Sequence, residues 1–248
     1  MSGVLVVTGA SRGIGAATAR LAATRGYSVC VNYQSNASAA QDVVEAIAGD
    51  GGRAIAVQAD VAREDQVETL FETCQQDLGP ITGLVNNAGA TGLINRLEDC
   101  PGETLRRVVE VNLLGALYCS RAAVRRMSIK NGGTGGAIVN LSSGAATIGS
   151  PNEYVWYAAA KGGINSLTIG LAKEVAGDGI RVNGVAPGFV KTEIHAAAGL
   201  SDRLERDAPK VPIGRAAEVE ELAEPILWLL SDAASYVTGA ILRVAGGR

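Results

Sequence analysis

The sequence predicts an α/β fold: a single doubly wound parallel sheet of seven strands, covered by helices on both faces. Three observations predict it. Short apolar runs alternate with longer amphipathic stretches from end to end, the order expected of β-α-β units with right-handed crossovers. Several runs, such as Val4-Leu5-Val6-Val7, are continuously apolar rather than alternating, which suits strands covered on both faces. A glycine-rich turn follows the first run and opens the first helical stretch.

The strands are expected at residues 3–8, 28–33, 53–58, 83–86, 137–141, 181–186 and 241–244. Between them, helical spacing marks residues 14–25, 37–49, 64–78, 103–127, 154–176 and 218–230. No linker, repeat or low-complexity tract divides the chain, so residues 1–248 read as one domain. The segment 192–211, after the sixth strand, is longer than a simple connection. It leaves the carboxyl end of a strand, where open α/β sheets bind ligands, and reads as a substrate lid.

Composition narrows the function. The formal net charge is −3 and the pI about 5.3, with no basic stripe, so neither nucleic acid nor an anionic membrane is an expected partner. Cys30, Cys74, Cys100 and Cys119 are scattered without CxxC spacing and read as free thiols of a reducing compartment, with no metal site. No apolar run approaches the ~20 residues needed to span a bilayer. The chain also shows no secretory leader. The expected location is the cytoplasm.

Thr8-Gly9-Ala10-Ser11-Arg12-Gly13-Ile14-Gly15 joins the first strand to the first helix. Glycines let the backbone turn sharply and approach a pyrophosphate, and the helix N-terminus offers free N–H groups and a positive dipole end. The spacing is GxxxGxG. In this it resembles the short-chain dehydrogenase/reductase family, whose members have a Rossmann-type fold. The likeness continues through Asp60-Val61, Asn86-Asn87-Ala88-Gly89, Asn112, Ser142-Ser143, Tyr157-x-x-x-Lys161 and Pro187-Gly188 with Thr192.

This resemblance implies a nicotinamide dinucleotide cofactor held by Gly9, Ser11, Arg12, Gly13, Ile14 and Gly15, with Asp60 and Val61 at the adenine. Asn87, Ala88 and Gly89 would lie under the adenosine ribose. Pro187, Gly188, Val190 and Thr192 would lie beside the nicotinamide. A competing reading makes Asp60 a helix N-cap. The second strand ends Asn32-Tyr33-Gln34-Ser35 without a carboxylate to repel a 2′-phosphate, and Arg12 offers a guanidinium fork. NADP is therefore expected over NAD, with Asn32 and Ser35 at the adenosine end.

Tyr157 and Lys161 stand four apart on one helix and share a face. Tyr157 is expected to be the general acid/base. An ammonium ~4 Å from a phenol is worth roughly 4 kcal/mol at an effective dielectric of about 20. That is about three pKa units and would bring the phenol toward ~7, desolvation apart. By resemblance, Lys161 also holds the nicotinamide ribose, Ser143 hydrogen-bonds the substrate oxygen and Asn112 orders a water leading to Lys161. Asn112 also reads as a structural amide at a helix kink. Tyr154 reads as pocket wall or core, and His195 as a surface residue or part of the substrate pocket. Trp156 is expected to face away from Tyr157, and Trp228 to lie in the core.

The expected reaction is hydride transfer between NADP(H) and a small carbonyl or secondary alcohol, in a homotetramer by resemblance. A 3-oxoacyl-carrier-protein reductase is the narrower alternative, with Arg121, Arg125 and Arg126 as a possible basic patch. A non-catalytic dinucleotide sensor is the third reading.

Overall fold

Valine, isoleucine and leucine runs become the strands, and their alternate side chains feed two different cores. The computed structural model describes residues 3–248. In chain order the first half is β1 (Gly3–Val7), α1 (Gly13–Thr24), β2 (Tyr27–Tyr33), α2 (Ala37–Gly49), β3 (Arg53–Gln58), α3 (Glu64–Leu78) and β4 (Ile81–Asn86). The second half begins with α4 (Gly102–Val109), α5 (Gly115–Met127), β5 (Gly136–Leu141), α6 (Ala145–Ile148), α7 (Val155–Val175) and β6 (Ile180–Pro187). It ends with α8 (Ile194–Ala197), α9 (Arg203–Asp207), α10 (Glu220–Leu230) and β7 (Ile241–Val244).

The seven strands form one parallel sheet in the order β3-β2-β1-β4-β5-β6-β7. Leu5, Val7, Val29, Val31, Val139 and Val185 face one way, against α1 and α10. Val4, Val6, Cys30, Leu84, Ile138 and Val182 face the other, against Phe71, Met127 and Ala172 of α3, α5 and α7. Both sheet faces are thus dry, which is why the strands lack polar alternation. The order reverses between β1 and β4, and a crevice opens there at the carboxyl ends of the strands.

Three expectations need correction. The stretch 103–127 is not one regular helix: residues Glu110–Leu114 form a π turn between α4 and α5. A π turn is an i→i+5 event, and nothing in hydrophobic spacing announces it. Cys30 and Cys74 are not free thiols: they form a disulfide between β2 and α3, with Cα atoms 6.1 Å apart. Their separation of 44 residues hid a contact that only the packing of α3 on the sheet creates. Trp228 is 40% exposed rather than core. Leu222, Ile226 and Leu229 bury one side of α10, and Glu221, Glu224 and Trp228 occupy the other.

Candidate active site

The turn after β1 is held in place before it can hold a ligand. Gly9 and Gly13 both have left-handed φ values, +60° and +56°, which favour glycine. Gly9 N donates to Asn32 Oδ1 at 3.2 Å, and Asn32 Nδ2 donates to the Ala59 carbonyl at 3.1 Å. Asn87 Nδ2 donates to the Thr8 and Gly9 carbonyls at 2.8 and 3.0 Å. Asn32 and Asn87 therefore tie the glycine turn to β2, β3 and the end of β4. A Cβ on Gly15 would sit 2.5 Å from Asn87 Nδ2 and 2.6 Å from the Gly9 carbonyl. Gly15 serves this close packing and is absent from the cleft wall.

One cavity of about 550 Å³ runs above the strand ends. Gly9, Ser11, Arg12, Gly13, Ile14, Asn32 and Ser35 line one end of it, with Asp60 and Val61. Further along, its wall includes Asn87, Ala88, Gly89, Ser143, Tyr157, Lys161, Pro187, Gly188, Val190 and Thr192. Asn86 works below them, donating to Asn140 Oδ1 at 2.8 Å and to Ser120 Oγ at 3.0 Å.

Asp60 does not cap α3, whose N-cap is Arg63. Its carboxylate accepts from the backbone N of Ala62 at 3.0 Å and pairs with Arg107 at 2.8 Å. Burial opposes the charge, but these donors hold the carboxyl below its ordinary pKa. Arg12 pairs with Glu193 at 2.6 Å, both well exposed, so it links the glycine turn to the segment after β6.

Helix α7 presents Tyr157 and Lys161 on one face, both buried. The Lys161 ammonium donates to the Leu141 carbonyl at 2.7 Å and lies 5.7 Å from the centroid of the Tyr157 ring. Burial lowers Lys161 to about 8. It raises Tyr157 to about 12, against a hydrogen bond with Ser143 that favours the phenolate. Burial thus runs against the expected fall of the phenol toward 7, and the influence opposing burial comes from Ser143. Ser142 and Ser143 divide: Ser142 Oγ donates to Asn165 Oδ1 at 2.6 Å, away from the phenol, whereas Ser143 bonds Tyr157.

Asn112 sits in the π turn, where its Nδ2 donates to the carbonyls of Ala90 at 2.6 Å and Val108 at 2.8 Å. Among the described residues its buried Oδ1 has no partner. A Cβ at Gly89 would lie 2.9 Å from that oxygen and 3.7 Å from Lys161 Nζ. A Cβ at Gly9 would lie 2.9 Å from Ala88 Cα, so the turn packs closely on the segment after β4, and the buried Asn112 oxygen retains an acceptor's capacity. Together with a helix N-terminus facing the cleft, these residues fit a dinucleotide with a polar ring end.

At the far end, Tyr154 is both core and wall: it is 7% exposed, and its ring meets Tyr157 edge-on at 5.4 Å. Its hydroxyl accepts from Arg203, whose other nitrogen pairs with Glu153 at 2.6 Å. Burial raises Tyr154 above its ordinary pKa against the pull of Arg203. His195 lines the cavity, and burial, aided by Arg203, lowers it to about 4. Trp156 turns away and donates to the Thr91 carbonyl at 2.8 Å. Sequence reading missed Arg107, Phe189, Arg203, Arg243 and Arg248 on the wall. They carry no spacing signal, since each comes from a different element or loop.

A family model described as enoyl-(acyl carrier protein) reductase matches residues 9–248. The uncharacterized oxidoreductase YgfF of Escherichia coli (strain K12) is 51% identical over 245 residues, covering 99% of both chains. Cis-4-hydroxycyclohexanecarboxylate dehydrogenase of Sinomonas cyclohexanicum is 44% identical over 245 residues, 98% of this chain and 95% of that one. A short-chain type dehydrogenase/reductase from Mycobacterium marinum superposes with a TM-score of 0.92 at 35% identity, covering 99% of this chain and 94% of that one. The chain belongs to the short-chain dehydrogenase/reductase family and is an NAD(P)-dependent oxidoreductase of alcohol and carbonyl groups.

Proposed function

We propose that the protein transfers a hydride between NADP(H) and a small carbonyl or secondary alcohol, with Tyr157 as general acid/base. The observation that carries this reading is the cleft itself, where Ser143, Tyr157 and Lys161 share a wall with the glycine turn. When bound, the dinucleotide supplies or takes the hydride and, when oxidised, a positive charge that favours a phenolate. Tyr157 gives its proton to the developing alkoxide in reduction and takes it back in oxidation. Ser143 orients the substrate oxygen and the phenol together. Lys161 stays anchored to β5 and holds the ribose, while the free Asn112 oxygen orders a water toward it.

Gly9, Ser11, Arg12, Gly13 and Ile14 hold the pyrophosphate end, with Gly15 supporting them by packing. Asn32, Ser35, Asp60, Val61, Asn87, Ala88 and Gly89 surround the adenosine. Pro187, Gly188, Val190 and Thr192 flank the nicotinamide. NADP is favoured over NAD because no carboxylate ends β2 and Arg12 stands at the turn. Residues 192–211, part of a single domain, act as the lid, tied to the turn by the Arg12–Glu193 pair. A homotetramer fits the exposed apolar Val109 on α4, Leu117 on α5 and Ile169 on α7. The carrier-protein alternative is weakened because Arg121 pairs with Glu64, and Arg125 and Arg126 with Glu68.

The test is NADPH oxidation over a panel of ketones and aldehydes. Tyr157→Phe is expected to lower kcat by roughly 10²–10⁴-fold while NADPH still binds. Arg12→Ala is expected to raise the KM for NADPH by about tenfold relative to NADH, the loss of one charge-assisted contact. Equal use of both cofactors by the parent enzyme overturns the NADP assignment.

A further inference from the structure

The charges around the cleft are not balanced. Among the described residues two side-chain carboxylates line it, Asp60 and Glu193, and each already has a cation, Arg107 and Arg12. Arg203 at the opposite end is matched by Glu153. Arg243 and Arg248 also line the cavity, and among the described residues neither has an ion-pair partner. The Arg248 guanidinium lies 4.2 Å from the centroid of Phe189, directly after the Pro187-Gly188 turn. His195 packs edge-on to the same ring at 6.0 Å and adds no carboxylate.

Strand order sets Arg243 apart from the adenosine end. Arg243 is on β7, and the adenosine end lies over β2, five strands away in the sheet order. At about 4.8 Å per strand that is roughly 24 Å. The β7 end instead adjoins Pro187 and Gly188, since Gly188 N donates to the Val244 carbonyl at 2.9 Å, and Gly144 N, next to Ser143, donates to the Pro187 carbonyl at 2.9 Å.

We propose that the substrate is anionic: a small alcohol or ketone carrying an acidic head group, received by Arg248 and Arg243 while Tyr157 meets the reacting oxygen. This deepens, and rests on, the oxidoreductase reading above. A guanidinium fork on an aromatic face suits a carboxylate or a phosphate, and it is otherwise unneutralised in a chain of net charge −3. The cavity of about 550 Å³ also holds the cofactor, which restricts the substrate to a small one.

The experiment is calorimetry on the NADP-saturated enzyme with cyclohexanecarboxylate, cyclohexyl phosphate and the uncharged cyclohexanecarboxamide. At least one anion is expected to bind about tenfold tighter than the amide, less so at high salt. The arms distinguish carboxylate from phosphate. The Arg243→Gln/Arg248→Gln double variant is expected to erase that ratio, whereas Arg20→Gln, on exposed α1 surface, leaves it. Circular dichroism checks that both variants fold. Equal binding of anions and amide, or a ratio unchanged in the double variant, overturns the proposal. Turnover of neutral ketones without anion preference sinks this inference alone. Anion preference without any NADPH-linked turnover sinks the proposed NADP(H)–Tyr157 reaction instead.

Discussion

Lys161 donates its ammonium to the carbonyl of Leu141 at 2.7 Å, and so fastens α7 to the end of β5 beside the phenol of Tyr157. The lysine is thereby a fixed charge in a dry wall. It lies 5.7 Å from the ring centroid, within cation–π range, but it does not make the buried phenol acidic by itself.

The phenol should therefore stay protonated until the cofactor arrives. Burial raises Tyr157 to about 12. Subtracting the ultraviolet titration of Tyr157→Phe from that of the parent should show no phenolate between pH 7 and 10 in the cofactor-free protein. Adding NADP⁺ should bring the transition down into that range. A phenolate already present near pH 7 without cofactor would restore the simple helix-turn arithmetic.

His195 gives a stability signature with a definite sign. Its folded pKa, lowered by burial and Arg203 to about 4, lies under the ordinary value of 6.5. The unfolded chain binds the proton more readily in that window. The stability it confers is full above 6.5 and is lost as pH falls through about 4. Urea unfolding from pH 7 to 4 should show a shallower loss in His195→Gln than in the parent. Parallel curves would place the imidazole in water.

Gly15→Ala tests the packing role assigned to that glycine. The added methyl meets the Gly9 carbonyl at 2.6 Å and Ala10 Cα at 2.9 Å, backbone atoms that cannot swing aside. We expect a loss of about 1–3 kcal/mol in unfolding free energy, the usual cost of overpacking. NADPH affinity should fall with it, because the same atoms shape the turn. An unchanged melting temperature would refute the tight fit.

Thiol counting tests the cysteine correction. In the folded protein, Cys100 should react with a thiol reagent while Cys119, buried and raised to about 12, should not. After unfolding without reductant, those two should react; with reductant, all four. Four reactive thiols in the unreduced, unfolded chain would show that Cys30 and Cys74 are not paired.

The Arg12–Glu193 pair predicts a functional effect without a stability effect. Both side chains are more than 60% exposed, so the pair adds little to folding. Glu193→Gln should leave the melting temperature alone yet lower the Kd for NADPH a few-fold, by freeing the guanidinium. A weaker Kd would mean that Glu193 orders the lid for binding.

Regular elements and the glycine turn were legible because each depends on neighbours within a few residues. The ranges 37–49, 64–78, 53–58 and 241–244 agree with α2, α3, β3 and β7 residue for residue. Tyr157 and Lys161 could be placed on one face because four helical steps fix that geometry. Asn112 marked an irregularity in its helix, but its i→i+5 form was not legible, and neither was the Cys30–Cys74 contact.

What the sequence determined by itself is the layered sheet, the turn after β1 and the common helical face of Tyr157 and Lys161, all set by local periodicity and short spacing. Tertiary structure alone decided where Lys161 sends its proton donors and which arginines reach the cleft. Those outcomes depend on solvent exclusion and on contacts between distant segments. Both arise only when separate elements close over the strand ends, and a linear pattern carries no record of either.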